Sequence, residues 1–361
     1  MDFSVEDKLF VENFIKKTKG VKSERTRKIL EIQREWTEQL KKCDEVELYI
    51  IKSTVIIAGT CTGFVSNRII RDVEFDYVIV DEAAKATFPE LAVSLNKAHK
   101  IILVGDHQQL PPVLDTEIIR NNKEKLDEEG LEQGIFERMY NMFPEDNKHR
   151  LTIQYRMHPT IGTLISHVFY NDEIQNGVEA QDRELCIEGY EGIAIEWIST
   201  SKYSTKERYE KEFDNNGKKS YQNYLERNII ERKLLELDSK LVKRTKVAVI
   251  TGYGSQKYIL QTMVKQHSFK HIEVDVDTVD AFQGSQKDII LYSTVRSSGN
   301  KYGIGFLKSE ARINVAFSRA RCLLIIVGDM KFLDNYKIRG NKFPEIIKYI
   351  TESEGCRIIE K

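Results

Sequence analysis

The sequence predicts an α/β protein whose parallel sheets carry helices on both faces. Short apolar, β-branched runs alternate with segments of helical periodicity along most of the 361 residues. A strand in a parallel sheet that is covered on both faces has a continuous apolar run rather than an alternating pattern. The runs fall into two clusters, which predicts two doubly wound domains. The first 50 residues have a different texture and predict a charged helix.

The composition indicates a globular protein without a strong overall charge. Hydrophobic residues make up 41% and charged residues 31%, and the formal net charge is −1. Any nucleic-acid-binding surface must therefore be local. No apolar run approaches the ~18 residues of a membrane span, and the acidic N-terminus does not resemble a signal peptide. Five scattered cysteines favour free thiols. We predict an intracellular, cytoplasmic protein, or a nuclear one in a eukaryote.

Residues 1–50 predict a long, charged helical stalk. Basic and acidic residues are equally frequent there, and apolar residues at helical spacing give one stripe: Ile29, Ile32, Trp36, Leu40 and Cys43. The simpler interpretation is a solvated helical arm without chemistry. The alternative is a stalk that presents a nucleic-acid-binding module.

The first cluster of strands spans about residues 51–146. Its predicted strands are TVIIAG (54–59), YVIVDE (77–82) and KIILVGD (100–106). Asp81 and Glu82 end the second strand, where α/β folds place ligands, and adjacent acids there are costly unless they are used. In NTPases the first such acid holds Mg²⁺ and the second polarises the attacking water. Gln109 follows the third strand, where its amide could sense a terminal phosphate, although a plain strand-to-loop turn is the alternative.

The second cluster spans about residues 147–350 and predicts a second domain. Its strands are KVAVIT (246–251), DIILYSTV (288–295) and CLLIIVGD (322–329). The polar segment at about 175–219 is interpreted as a surface insertion, with KEFDNNGKKS (211–220) as its loop tip. Residues 351–361 are interpreted as a C-terminal tail.

Three segments of the second cluster suit phosphate or sugar-phosphate contacts. Arg156 carries a planar, permanently charged group that forms bidentate hydrogen bonds with phosphate. Arg319 and Arg321 lie two residues apart and leave their helix on different faces, so that one can reach a neighbouring domain while the other packs within its own. Tyr155 could stack on a base beside Arg156, although an interdomain salt bridge with Tyr155 in the core is the alternative. The polar, glycine-containing stretch from 277 to 286 suits contacts to a sugar-phosphate backbone.

The motifs follow one another in the order DEAA (81–84), GDHQQLPP (105–112), QYRMHP (154–159), VDAFQG (279–284) and NVAFSRAR (314–321). Their order and spacing resemble the superfamily 1B helicases, in particular the branch of the nonsense-mediated-decay helicase and senataxin. The resemblance runs from about residue 54 to about residue 332. It implies two RecA-like domains, the first incomplete, and an ATP-dependent helicase or translocase acting on single-stranded RNA or DNA.

The resemblance also implies residue roles and two cofactors, ATP and Mg²⁺. Asp81 would hold Mg²⁺, and Glu82 would be the catalytic base. The groups that would reach the γ-phosphate are Gln109, Arg156 and Arg319. Tyr155 would stack on the adenine, Gly284 would lie in the coupling loop, and Gln286 would replace the acid that contacts the ribose. The candidate contacts to the nucleic-acid backbone are Thr60, Thr62 and Thr278. Lys85 stands where the family usually has glutamine.

One element of the family is missing from this sequence. No G-x-x-x-x-G-K-[ST] segment (the Walker A loop) occurs in it. That loop supplies a backbone N–H cradle, a lysine for the β- and γ-phosphates, and a hydroxyl for Mg²⁺. We therefore expect a fragment of a longer protein or one half of a split one, inactive alone, whose partner segment carries the loop. The alternative is a non-catalytic nucleic-acid- or partner-binding module that lost ATP binding.

Two further patterns favour simpler interpretations. His267 and His271 are four residues apart, but no Cys or acid is placed to complete a metal site. Four tyrosines interleave with lysines, as in single-strand-binding surfaces, and an ordinary polar insertion is preferred for them: Tyr203, Tyr209, Tyr221 and Tyr224.

Overall fold

The computed structural model describes residues 24–40, 44–70, 73–112, 134–215, 218–298, 303–335 and 340–360. They form two compact units. Unit 1 contains residues up to 80 together with 88–103, and unit 2 contains residues 81–87 together with 104–361. This division differs from the predicted boundary near residue 146. The turns after the first two strands belong to unit 2 because Ala84 and Gly105 pack against each other and against Phe136.

Unit 1 is a helical segment followed by a small α/β element. Its helices and strands are α1 (Glu24–Leu40), α2 (Asp44–Ser53), α3 (Cys61–Ser66), β1 (Phe75–Val80), α4 (Phe88–Leu95) and β2 (Ala98–Leu103). β1 and β2 pair in parallel, with Val78 beside Ile101. On α1, Ile32 is 54% exposed and Trp36 is 67% exposed, so this part of the predicted stripe faces solvent. Residues 1–23 and Cys43 of the predicted stalk lie outside the described residues.

The predicted strand TVIIAG (54–59) is not formed. Residues 54–60 have no regular structure, and Val55 is 97% exposed. A strand needs a neighbour to satisfy its backbone groups, and the described part of unit 1 pairs only β1 with β2. Apolar composition by itself therefore did not produce a strand.

Unit 2 is built on a six-stranded parallel sheet. The strands of unit 2 are β3 (Ile153–Gln154), β4 (Gln175–Asn176), β5 (Ile195–Ser199), β6 (Lys211–Asn215), β7 (Lys218–Gln222), β8 (Thr245–Thr251), β9 (Ile272–Thr278), β10 (Lys287–Ser293), β11 (Ala320–Gly328) and β12 (Cys356–Glu360). The large sheet has the order β12–β5–β11–β10–β8–β9, and each neighbouring pair is parallel. The predicted strands of the second cluster therefore occupy its centre.

Helices cover both faces of this sheet. The α-helices of unit 2 are α5 (Gly134–Met142), α6 (Pro159–Phe169), α7 (Thr205–Arg208), α8 (Tyr224–Lys240), α9 (Gly254–Val264), α10 (Glu310–Phe317), α11 (Met330–Asn335) and α12 (Phe343–Glu352). Along β10, Ile290 and Tyr292 join the core beneath α6, whereas Ile289 and Leu291 join the core beneath α8. Successive side chains of a strand point to opposite faces, so one apolar run serves two cores. The predicted α/β class is confirmed.

The segment predicted as a surface insertion, 175–219, contains a core strand. β5 is buried along its whole length and lies between β12 and β11. The tail predicted for 351–361 is also wrong, because β12 pairs with β5, with Cys356 beside Ile195. Glu196 interrupts the apolar run of β5, and the contacts that neutralise it come from distant Arg357 and Lys233. This strand therefore could not be predicted from its local sequence.

The segment predicted as a loop tip, 211–220, forms an antiparallel hairpin. β6 and β7 pair with Phe213 beside Ser220, and residues 216 and 217 lie outside the described residues. Tyr221, at the end of this hairpin, is buried, which fixes its register. Throughout the described ranges, no helix has both the length and the apolar character that crossing a bilayer requires.

Candidate functional site

The two acids that follow β1 lie on a tight turn of unit 2. Glu82 has a left-handed backbone, with φ 54° and ψ 34°, and precedes a 3-10 turn at Ala83–Lys85. Its N–H donates to Oδ1 of Asp81 at 2.9 Å. The N–H of Ala83 donates to the carbonyl of Val104 at 2.8 Å. A left-handed non-glycine residue costs about 1–3 kcal/mol, and such residues cluster at functional sites. The turn therefore holds both carboxylates at the surface.

Asp106 organises the loop that follows β2. Its Oδ1 accepts the N–H of Gln108 at 3.0 Å, and its Oδ2 accepts Nε2 of Gln109 at 2.8 Å. Gly105 precedes it because a Cβ there would lie 2.8 Å from the backbone nitrogen of Ala84. The side-chain amide of Gln109 is therefore held in one orientation.

A tyrosine from α6 connects this loop to α10. The hydroxyl of Tyr170, which caps α6, donates to Oδ2 of Asp106 at 2.5 Å. Nδ2 of Asn314 donates to the same hydroxyl at 2.8 Å and to the carbonyl of Gln108 at 3.0 Å. Burial raises the pKa of Tyr170, and the charge of Asp106 raises it further. The phenol therefore remains a proton donor to the carboxylate.

Arg319 is buried at the end of α10, with 2% of its surface exposed. Its Nη2 donates to Oε1 of Gln109 at 3.2 Å and to Oγ of Ser318 at 3.1 Å. Its Nε donates to the carbonyl of Val315 at 3.1 Å. All three acceptors are neutral oxygens, so these hydrogen bonds orient the guanidinium without neutralising its charge.

Arg156 lies beside Arg319 on the segment that follows β3. Its Nη1 donates to the carbonyl of Ser318 at 3.3 Å. Its own carbonyl accepts Nε of Arg183 at 2.8 Å, and the carbonyl of Tyr155 accepts Nη2 of Arg183 at 2.7 Å. Arg183 therefore fixes the backbone from which Arg156 and Tyr155 project.

The two arginines repel each other in a desolvated environment. Burial, together with the charge of Arg156, lowers the pKa of Arg319 to about 10, although the charge of Glu82 opposes the shift. Burial also lowers the pKa of Arg156, again against the charge of Glu82. Neither arginine takes part in an ion pair within 4.0 Å among the described residues. The site therefore has an excess of buried positive charge.

The loop between β9 and β10 reaches the same site. Nε2 of Gln283 lies 3.4 Å from Oε2 of Glu82. Gly284 follows with a φ of 79°, a conformation that glycine adopts without strain, and Gln286 is exposed. Thr278 ends β9, beside Thr251 of β8. This loop therefore connects the acidic turn with the carboxyl end of two strands.

The structure brings together most of the predicted site residues. Glu82, Gln109, Arg156 and Arg319 form one cluster, Asp81 adjoins it, and Tyr155 projects nearby with 63% of its surface exposed. Thr60 and Thr62 belong to unit 1, where Oγ1 of Thr60 accepts the N–H of Gly63 at 3.0 Å.

Sequence reasoning missed several residues that organise this cluster: Asp106, Tyr170, Arg183, Gln283 and Asn314. Asp106 had a detectable signal, since a glycine and an acid end an apolar strand. Tyr170 had none, because the partner it holds is 64 residues away. The two histidines considered for a metal contact other groups: His267 meets Glu231 at 2.7 Å, and His271 meets the carbonyl of Asp238 at 2.9 Å.

Comparison with known proteins adds the family to this geometry. A family described as an AAA domain matches residues 131–331, and a second family with the same description matches residues 6–117. The chain belongs to the AAA-domain family of superfamily 1B helicases. This agrees with the order of motifs in the sequence.

Helicases of fungi and archaea are among the relatives. The chain is 35% identical over 301 residues to a regulator of nonsense transcripts 1 homolog of Neurospora crassa, covering 81% of this chain and 26% of that protein. It is 34% identical over 324 residues to the ATP-dependent helicase NAM7 of Saccharomyces cerevisiae, covering 88% and 31%. An uncharacterized ATP-dependent helicase of Methanocaldococcus jannaschii is 29% identical over 358 residues, covering 94% and 48%. This chain therefore spans less than half of the length of these relatives.

A solved structure of an arterivirus helicase, nonstructural protein 10 in complex with DNA, also aligns with this chain. The alignment has a TM-score of 0.34 and 15% sequence identity, and it covers 71% of this chain and 40% of that chain.

Proposed function

We propose that this chain is the motor part of an ATP-dependent helicase or translocase that acts on single-stranded RNA or DNA. The observation that supports this most is the pair Arg156 and Arg319, which are desolvated, adjacent and without an ion-pair partner in the part of the chain that the structure describes. Two buried like charges are unfavourable unless an anion joins them. The γ-phosphate of ATP is such an anion, and guanidinium groups bind phosphate oxygens with bidentate geometry.

The neighbouring groups suit transfer of a phosphoryl group to water. Glu82 accepts a proton from the attacking water, and the amide of Gln109, held by Asp106 and Arg319, contacts the γ-phosphate. Arg156 and Arg319 stabilise the charge that develops on the transferred group.

Asp81 is the residue that fits Mg²⁺. This ion usually keeps several waters and takes one or two carboxylates together with phosphate oxygens, so a single exposed carboxylate beside the phosphate site is sufficient. When bound, the ion neutralises charge on the phosphates. Among the described residues, no three His, Cys, Asp or Glu side chains converge as a metal site, which agrees with a metal held mainly by the nucleotide.

The remaining predicted residues take positions that this function uses. The ring of Tyr155 is exposed and stacks on the adenine, and Gln286 contacts the ribose. The loop with Gly284 joins Glu82, through Gln283, to Thr278 at the end of β9. Hydrolysis is thereby coupled to the nucleic-acid strand, which Thr60, Thr62 and Thr278 contact through its backbone.

The phosphate cradle comes from outside these 361 residues in this proposal. The sequence has no G-x-x-x-x-G-K-[ST] segment, and the arginines alone supply neither the backbone N–H groups nor the lysine. A further segment of a longer protein, or a split subunit, brings them. The chain alone binds ATP weakly and hydrolyses it negligibly.

Thermal unfolding of the full chain in pyrophosphate, or in ATP with Mg²⁺, tests the anion site. We expect both ligands to raise the melting temperature, because an anion relieves the repulsion between the arginines. Arg156→Ala and Arg319→Ala should each abolish that rise, and Glu82→Gln should retain it. The control is Arg321→Ala, two residues away, whose guanidinium is paired with Asp288 at 2.9 Å.

Two outcomes count against this site. If pyrophosphate stabilises Arg319→Ala as much as it stabilises the wild type and the control Arg321→Ala, then Arg319 does not hold the anion. If no anion stabilises the wild type, the non-catalytic module is the better description. In the complete motor, the same proposal requires Glu82→Gln to abolish turnover while nucleotide binding persists.

A further inference from the structure

The hairpin β6–β7 and its flanking residues expose aromatic rings beside cations. Tyr209 is 41% exposed and Tyr224 is 46% exposed. Nζ of Lys211 lies 5.3 Å from the centroid of the Tyr224 ring, and Cζ of Arg208 lies 5.7 Å from that of Tyr209. A cation beside an exposed ring is a favourable contact, and the ring still leaves one π face open to solvent. They suit a ligand that is both aromatic and anionic.

The other two tyrosines of this stretch are turned inward. Tyr203 packs against the core beneath α8. Tyr221 is buried, with the guanidinium of Arg296 4.0 Å from its ring centroid and Tyr253 against its edge. The tertiary structure thus separates the four tyrosines into two that support the hairpin and two that face outward.

The acids of this stretch are engaged within the unit. Glu210 pairs with Arg296 at 3.2 Å, with 1% of its side chain exposed. Glu207 accepts the hydroxyl of Ser204 at 2.6 Å, and Glu212 pairs with Lys219 at 2.9 Å. Lys211, in contrast, is not among the cations of the described residues that form an ion pair. Arg208 is paired with Asp329 at 3.3 Å, so Lys211 supplies the basic charge that accompanies the outward rings, on a chain whose net charge is −1.

Hydrogen bonds anchor this hairpin to the carboxyl edge of the large sheet. The N–H of Ser255, just after β8, donates to Oγ of Ser220 at 3.1 Å. Nδ2 of Asn223 donates to the carbonyl of Val295, just after β10, at 3.0 Å. Thr278 ends β9 at the same edge. Ligands of parallel sheets bind at the carboxyl ends of the strands, so the rings stand on the functional side of the unit.

We propose that Tyr224 and Tyr209, with Lys211, form a stacking subsite for single-stranded nucleic acid. Each ring offers a face on which an unpaired base stacks, and Lys211 meets the phosphate backbone. The subsite extends the path that Thr278 begins, and it binds without sequence preference because every base has a π face. This inference rests on the proposed function for its choice of ligand, but binding at the subsite does not require ATP.

Fluorescence anisotropy of the full chain with a labelled oligo(dT) or oligo(U), without ATP and at low salt, tests the subsite. Tyr224→Ala should weaken binding about tenfold, since stacking contributes about 1–3 kcal/mol per base. Tyr224→Phe keeps the ring and should bind as the wild type does. Lys211→Gln should reduce the slope of log K against log salt by about one phosphate contact.

The matched control is another exposed lysine–tyrosine pair. In unit 1, Tyr77 is 54% exposed, and Nζ of Lys100 lies 5.1 Å from its ring centroid. Tyr77→Ala should leave oligonucleotide affinity unchanged. The melting temperature of Tyr224→Ala should equal that of the wild type, because the ring is half in water.

The possible outcomes separate this inference from the proposed function. Tight binding by the wild type that Tyr224→Ala does not weaken overturns the subsite and leaves the motor proposal standing. A similar loss of affinity in Tyr77→Ala also overturns it. Failure of the wild type to bind any oligonucleotide at low salt overturns both, and the anion test at Arg319 then decides the nucleotide site separately.

Discussion

Two clusters of buried charge in unit 2 are built in opposite ways. Glu196 of β5 is fully buried and contacts Arg357 and Lys233, while the hydroxyl of Tyr190 donates to it at 2.9 Å. Arg319 is almost as deeply buried, and within the described ranges its acceptors are all neutral oxygens. The first cluster satisfies its charge within the fold. The second leaves its charge unsatisfied, as a site for an external anion does.

The direction of the pKa shifts shows the same difference. Burial by itself lowers the pKa of Lys233, but the charge of Glu196, with hydrogen bonds to Glu236 and Tyr190, raises it overall. At Arg319, burial lowers the pKa and the neighbouring charge of Arg156 lowers it further. A cation that the fold stabilises is structural, whereas a cation that the fold destabilises is available for a ligand.

The largest effect is expected when the ion-paired cluster around Glu196 is broken. Glu196→Gln leaves Arg357 without its anion and Lys233 with Glu236 alone, and it should lower the free energy of unfolding by about 3–5 kcal/mol. Urea unfolding followed by circular dichroism measures it. The control is Glu145→Gln, which removes an exposed partner of Lys148 at 2.8 Å and should change stability by less than about 1 kcal/mol. If Glu196→Gln and Glu145→Gln lowered the free energy of unfolding equally, the buried Glu196 would have no special structural role.

A smaller effect, opposite in sign, is expected at the cluster of Arg156 and Arg319. Arg319→Met keeps the apolar stem and removes one of two repelling charges, so the melting temperature without ligand should rise by roughly 2–4 °C. Arg357→Met, measured in the same way, should lower it because Glu196 loses a partner. A fall in Arg319→Met as large as that in Arg357→Met would show that Arg319 is a structural cation.

The smallest effect is the coupling between partners. A double-mutant cycle of Arg156→Met and Arg319→Met should give a repulsive coupling of about 0.5–1 kcal/mol. The cycle of Glu196→Gln and Lys233→Met should give an attractive one. Saturating pyrophosphate should make the first coupling attractive and leave the second unchanged. If the Arg156–Arg319 cycle and the Glu196–Lys233 cycle gave couplings of the same sign without ligand, the two clusters would not differ in how their charge is compensated.

The strands at the centre of the large sheet were predictable because their signal is local. The run KVAVIT became β8, DIILYSTV became most of β10, and CLLIIVGD became most of β11. In each, consecutive apolar residues fill the cores on both faces of the sheet. An apolar run of this length favours burial on both faces of a sheet when neighbouring strands are available.

The edge of that sheet was not predictable in the same way. β5 carries Glu196 in the middle of its buried run, and the arginine that compensates it stands on β12, 161 residues later. The same limit explains TVIIAG (54–59), whose apolar residues remain exposed because the described residues offer them no neighbouring strand. Strand formation depends on a partner, and the partner is a property of the fold.

The sequence by itself determined the α/β class, the superfamily 1B motifs, and the residue types at the proposed nucleotide site. These features depend on residues that are close together in the chain. Only the tertiary structure decided that Tyr170 and Asn314 hold the loop of Gln109, and that two of the four tyrosines face outward. It also decided that no acid of the described residues is paired with Arg156 or Arg319. Hydrogen bonds and charge compensation act over a few ångströms in space, between residues that the chain separates by tens to hundreds of positions.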